Sequence, residues 1–162
     1  MSNLVLLGVS NYPFSFALWV QPVSTSGGTL VRLFSVTNGT QRWCVDMLGL
    51  SASGRVVAAT WNGAVRQVLG PNITANVWTH VASTYSVANG LRLYVNGTLI
   101  GSISSSTYNA PSRFNFLTLG NAFAGSPCNT TSISSGSYSG YLDEFRVYSR
   151  ELTAAAISIL AR

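Results

Sequence analysis

The sequence predicts an all-β fold, a sandwich or a barrel, and three observations carry that expectation. Short segments rich in Val, Leu, Phe and Thr recur along the 162 residues with turn signals between them. Several alternate with period two. Phe14, Phe16, Leu18 and Val20 share one face of a strand, and Leu91, Leu93 and Val95 share one face of another. Asn62-Gly63 and Asn96-Gly97 each stand between two such runs and supply the positive φ angles that tight hairpin turns require.

Taken in order, strands are expected at 3–9, 14–21, 29–36, 42–50, 55–61, 64–69, 77–85, 91–96, 98–104, 114–120 and 139–148. Leu4-Val5-Leu6-Leu7 does not alternate. Four successive apolar residues fit a strand covered on both faces, either by its own fold or by a neighbour. The stretch 121–138 is the one long irregular segment, and Cys128 would pin its middle. Only the tail reads as helical: Thr153 can serve as N-cap, and Ile157 and Leu160 stand at i,i+3. No linker, repeat or second domain interrupts the pattern, so 1–162 is expected to form a single domain with one core.

Composition narrows the class of partner. Charged residues make up 8% of the chain, against roughly 25% in an average soluble domain, and lysine is absent. Asn, Ser, Thr and Gly must therefore supply the polar surface, helped by attached glycans or by burial against copies of the same chain. The net charge of +5 comes from arginines spread singly from Arg32 to Arg162. Phosphate backbones call for a concentrated basic footprint, so nucleic acid is not an expected partner. No stretch has the length of a membrane span, and the opening MSNLVLLGVS lacks the basic and long apolar regions of a secretory signal. Cys44 and Cys128, an even pair in a charge-poor chain, suggest one disulfide in an oxidising compartment; two separate buried thiols are the alternative.

FSFALWVQP, WTHVASTY followed by GLRLYVNGTLIG, LTLGN, and YSGYLDEFRVYSRELTAAAI occur in an order that resembles concanavalin A-like, laminin G-like jelly-roll domains over about residues 13–160. The resemblance implies a two-sheet antiparallel jelly-roll sandwich, six or seven strands to a sheet, with a short C-terminal helix. It also implies a secreted or surface protein that binds sugars, matrix or other proteins. Trp19 and Trp78 fall in the family pattern and read as structural. Two features depart from the family. The strand that usually comes first, with a Phe-Asp-Gly type motif that can help hold calcium, is not seen, so the sandwich reads as one strand short. Ala156 stands where the family tends to place an acid, which removes a capping box.

Enzymes of this superfamily are glucanases that work with paired carboxylates. The acids here are Asp46, Asp143, Glu144 and Glu151. Asp143 and Glu144 are adjacent, and on a regular strand they point to opposite faces and cannot flank one bond, so no catalytic activity is expected. His80, the sole histidine, reads as a structural residue of the WTHVASTY strand. Asp143 shares parity with Tyr141, Phe145 and Val147, which puts it at the rim of the core face in need of a partner. A backbone or arginine partner is the first expectation; calcium, helped by carbonyls near Asn121 and Gly125, is the second, and no other cofactor is expected. Sequons begin at Asn38, Asn72, Asn96 and Asn129. Trp43 and Trp61 lie near strand ends, where an indole packs into the core or stacks on a sugar ring.

Two functions follow. The first is a non-catalytic extracellular structural or adhesive module that assembles with copies of itself into a filament. In it residues 1–12 exchange with a neighbour, and Leu4, Val5, Leu6, Leu7 and Val9 fill an open groove. The alternative is a lectin-like module of a larger secreted or surface protein whose partners are extracellular glycans.

Overall fold

The computed structural model describes residues 5–37, 40–104, 107–111, 115–122, 128 and 131–162; at Val5, 36–37 and 40–42 the backbone alone is described. Ten strands follow one another: β1 (Phe14–Pro22), β2 (Gly28–Thr37), β3 (Thr40–Leu50), β4 (Arg55–Trp61), β5 (Val65–Asn72), β6 (Thr79–Ser86), β7 (Gly90–Val95), β8 (Thr98–Ile103), β9 (Asn115–Leu119) and β10 (Gly140–Tyr148). One helix, α1 (Ala154–Leu160), ends the chain. The strands form two antiparallel five-stranded sheets, ordered β10-β1-β6-β7-β8 (sheet A) and β5-β4-β3-β2-β9 (sheet B). The concanavalin A-like jelly-roll sandwich is thus present, with five strands per sheet among the described residues where the resemblance implies six or seven.

The alternation read from the sequence is what fills the core. Phe14, Phe16, Leu18 and Val20 of β1 and Leu91 and Leu93 of β7 are buried against Leu33, Val45, Met47 and Leu48 of sheet B. Each such side chain contributes roughly 1.5–3 kcal/mol when fully removed from water. Phe14 stacks on Tyr85 with ring centroids 5.3 Å apart, and Tyr108 meets both rings edge-on.

The hairpin turns separate into two kinds. Asn96 (φ 48°) and Gly97 (φ 76°) are both left-handed, as a two-residue turn between β7 and β8 demands. At Asn62-Gly63 only Gly63 has positive φ (95°), and the connection from Trp61 to Val65 is a three-residue loop.

Residues 5–8 depart from expectation. Val5–Gly8 form a 3-10 turn, not part of a strand. Leu7 is buried in its own domain, and its carbonyl accepts the Tyr108 hydroxyl at 2.7 Å. Leu6 and Val9 stay exposed. Asn11, at φ 63°, turns the chain back: its N–H donates to the Tyr108 carbonyl and its side-chain Oδ1 accepts the Tyr108 N–H, so that of the described apolar side chains of this run Leu7 is anchored while Leu6 and Val9 are not covered. The donor strand built on Val5, Leu6, Leu7 and Val9 therefore lacks its extended backbone; Leu4 lies outside the described residues.

Cys44 and Cys128 form a disulfide. It ties the long segment to β3, and the part described beyond it, 131–138, lies across the outer face of sheet B. Ser134 donates to the Leu50 carbonyl, Gly28 donates to Ser134, and Ile133 packs where a Cβ on Gly49 would sit 2.6 Å away. Beneath this cover Arg32 and Asp46, both about 1% exposed, form a two-pronged ion pair at 2.7 and 3.1 Å, and the Ser135 hydroxyl donates to Asp46. The sequence offered no sign of this pair: Arg32 and Asp46 stand on different strands and meet because β2 and β3 place them in register.

A cleft with two tryptophans and two carboxylates

Among the described residues, the outer face of sheet A is covered at one end only. Ala17 and Ala82 pair across β1 and β6, and their small side chains leave room for Leu152 and the fully buried Ile157 of α1. Thr153 caps this helix as expected, its hydroxyl accepting the Ala156 N–H at 3.2 Å. The next outward residues along the same strands are Trp19 and His80, which face each other in register and touch ring edge to ring face at a centroid distance of 5.4 Å. Beyond the reach of α1, Trp19, Trp78, Asp143 and Glu144 line an open cleft of about 290 Å³. Trp78 is 41% exposed.

Adjacent acids reach one cleft because β10 is bulged. Ala17 pairs with Arg146 and Trp19 with Asp143, so Leu18 alone opposes the two residues Glu144 and Phe145. Glu144 takes the left-handed conformation (φ 49°) that absorbs the extra residue. Leu142 and Phe145 both pack toward the core, and the two residues between them, Asp143 and Glu144, both turn outward. Two expectations are corrected here. The carboxylates do not point to opposite faces, and Asp143 is exposed on the outer face instead of standing at the core rim. Its Oδ1 accepts the Glu144 N–H at 2.7 Å, the backbone partner foreseen for it. Arg146 donates to Glu144 at 2.9 Å. Of the carbonyls expected to help hold calcium, those near Gly125 lie outside the described residues, and Asn121 is engaged elsewhere. The Gly120 turn meets β10 from the core side, at Leu142, and the Asn121 carbonyl takes the Thr118 hydroxyl. Among the described residues no group of three His, Cys, Asp or Glu stands together as a metal site.

His80 is 1% exposed, and burial lowers its pKa, partly offset by the Glu144 carboxylate and reinforced by Arg146. Its backbone N–H is held by Asn96 Oδ1 at 2.9 Å, and its ring supports Trp19 from the side. Nδ1 has no partner. The ring is a neutral, structural neighbour of the cleft.

Of the two readings open for Trp43 and Trp61, the structure shows packing against the core. Trp43 and Trp61 are partly buried against the core, Trp43 edge-on to Tyr108 at 6.5 Å, and neither lines the cleft. Trp19 and Trp78, read as structural, are the ones that do. A parity argument pairing Trp19 with the outward face of Ala17 could have found the first; Trp78 precedes its strand and gave no periodic signal. Of the sequons, Asn72 and Asn96 are exposed, while Asn38 and Asn129 lie outside the described residues. No helix among the described residues is long and apolar enough to cross a membrane.

Two antiparallel five-stranded sheets in this strand order make a concanavalin A-like jelly-roll sandwich. The chain belongs to the concanavalin A-like lectin/glucanases superfamily, whose family model matches residues 2–158. Similar solved structures include the sialidase CBM40 of Ruminococcus gnavus bound to α2,3 sialyllactose (TM-score 0.71, 16% identity, 93% of this chain and 83% of that one). A SAP-like pentraxin from Limulus polyphemus is another (0.64, 16%, 94% and 71%). A third is domain 4 of AbnA, an extracellular arabinanase of Geobacillus stearothermophilus, in complex with arabinotriose (0.58, 20%, 97% and 69%). At these identities the likeness is one of fold. No curated protein matches the chain.

Proposed function

We propose that this domain is a non-catalytic carbohydrate-binding module that holds a glycan against Trp19 and Trp78 in the sheet A cleft. The observation that carries the reading is the juxtaposition of two accessible indoles with two carboxylates on a rigid β-sheet face that α1 leaves open. Indole faces bury the apolar face of a pyranose, and carboxylates accept hydrogen bonds from its hydroxyls. Two of the three solved structures named above hold a bound saccharide, which supports this reading.

Binding without hydrolysis is supported by the bulge itself. Glycosidase carboxyls stand on either side of the scissile bond, whereas Asp143 and Glu144 are neighbours on one strand, one engaged by the bulge amide and the other by Arg146. The disulfide supports an extracellular setting, and exposed Asn72 is a suitable glycan acceptor there. The 3-10 turn at Val5–Gly8, with Leu7 anchored in its own domain, favours this reading over a filament joined through residues 3–9.

Titration of the protein with a panel of soluble oligosaccharides, followed by calorimetry, tests the reading. Trp78→Ala is expected to weaken the best ligand about tenfold or more. Equal affinity of Trp78→Ala and the intact protein for every ligand would overturn it.

A further inference from the structure

The four acids of this chain do not share one fate. Asp46 is buried against Arg32, Glu151 is bound by Arg92, Ser86 and Asn89, and Glu144 is paired with Arg146. Asp143 alone has no cationic partner among the described residues. One of its oxygens accepts the bulge amide, and the other has no partner there. It stands exposed at the wall of a cleft whose other walls are two indoles and Glu144, the carboxylate that Arg146 pairs. In a protein of net charge +5 this is a local excess of negative charge, since Glu144 and Arg146 cancel and His80 beneath is held neutral by burial. An unpaired carboxylate beside indole faces is the chemistry that selects an ammonium group: the carboxylate neutralises it, and the ring quadrupoles attract it on the remaining sides.

Building on the glycan-binding reading above, we infer that the cleft takes an amino sugar with its ammonium group against Asp143 and its ring against Trp19 and Trp78. A neutral sugar would leave the carboxylate hydrated but unpaired and gain only the stacking. An N-acetylated sugar would place a neutral amide there and gain no ion pair.

The intact protein is titrated by calorimetry at low salt with glucosamine oligomers, N-acetylglucosamine oligomers and glucose oligomers of equal length, at a pH where the amine is protonated. Choline serves as a cation that carries no sugar. Glucosamine oligomers are expected to bind about tenfold more tightly than the other two sugars, the scale of one partly desolvated cation–π and ion-pair contact. Asp143→Asn keeps the oxygen that accepts the bulge amide and removes the charge, so the tenfold ratio should fall toward one. Asp143→Glu should retain part of it. N-acetylated or neutral oligomers binding as tightly as the amines, with binding still sensitive to Trp78→Ala, would overturn the amino-sugar inference and leave the glycan reading standing. Tight binding of choline with no saccharide bound at all would overturn both.

Discussion

His80 sets the chemistry under the site by being uncharged. A base whose folded pKa lies below its ordinary value of 6.5 makes the native state poorer in protons than the unfolded chain. Stability from this residue is fully present above that value and is lost as pH falls from 6.5 toward the lowered folded pKa. Chemical denaturation at pH 7.5 and 5.5 should therefore find the intact protein less stable at the lower pH, and His80→Leu should flatten the difference. Equal pH slopes for the two proteins would mean that the ring is not held neutral by burial. The identity of His80 as a structural residue was legible, because one histidine inside a strand pattern has no partner with which to build a metal site. The Asp143 environment was not. Parity arguments assume an unbroken strand, and the bulged position is occupied by Glu144 at φ 49° where a glycine would have announced the irregularity.

The strands were legible where large apolar residues alternate or where a turn pair bounds the run. β1, β4 and β7 alternate or are bounded by Asn-Gly pairs, and the structure places them within a residue or two of the boundaries read from the sequence. At residues 5–8 an apolar run suggests extended backbone, whereas Val5–Gly8 form a 3-10 turn, Asn11 turns the chain, and among the described side chains of the run Leu7 alone is buried. The disulfide is the element on which the cover of sheet B depends. It closes a separation of 84 residues, for which chain-entropy arguments give about 4 kcal/mol. Replacing both cysteines by serine should lower the unfolding free energy by up to that amount in a denaturant titration. The Gly28 and Ser134 amides, which bond through the covering segment, should exchange faster with solvent. Unchanged stability and protection would show that the segment holds itself down without the bridge. A released cover would also wet the Arg32–Asp46 pair, whose burial is tolerable only while its hydrogen bonds are made.

At the scale of the molecule the two outer faces are treated differently. Sheet B is roofed by a disulfide-anchored segment, sheet A by a short helix seated on paired alanines, and the second roof stops before Trp19. An acidic, aromatic cleft on an otherwise basic protein follows from that short roof and from one bulge. The most direct measurement is the set of four indole N–H resonances, assigned by single tryptophan substitutions and followed by NMR as a saturating oligosaccharide is added. Binding in the cleft predicts that the Trp19 and Trp78 signals shift while those of Trp43 and Trp61, packed against the core, stay in place. Shifts at Trp43 or Trp61 with Trp19 and Trp78 unmoved would contradict it and put the ligand elsewhere on the sandwich.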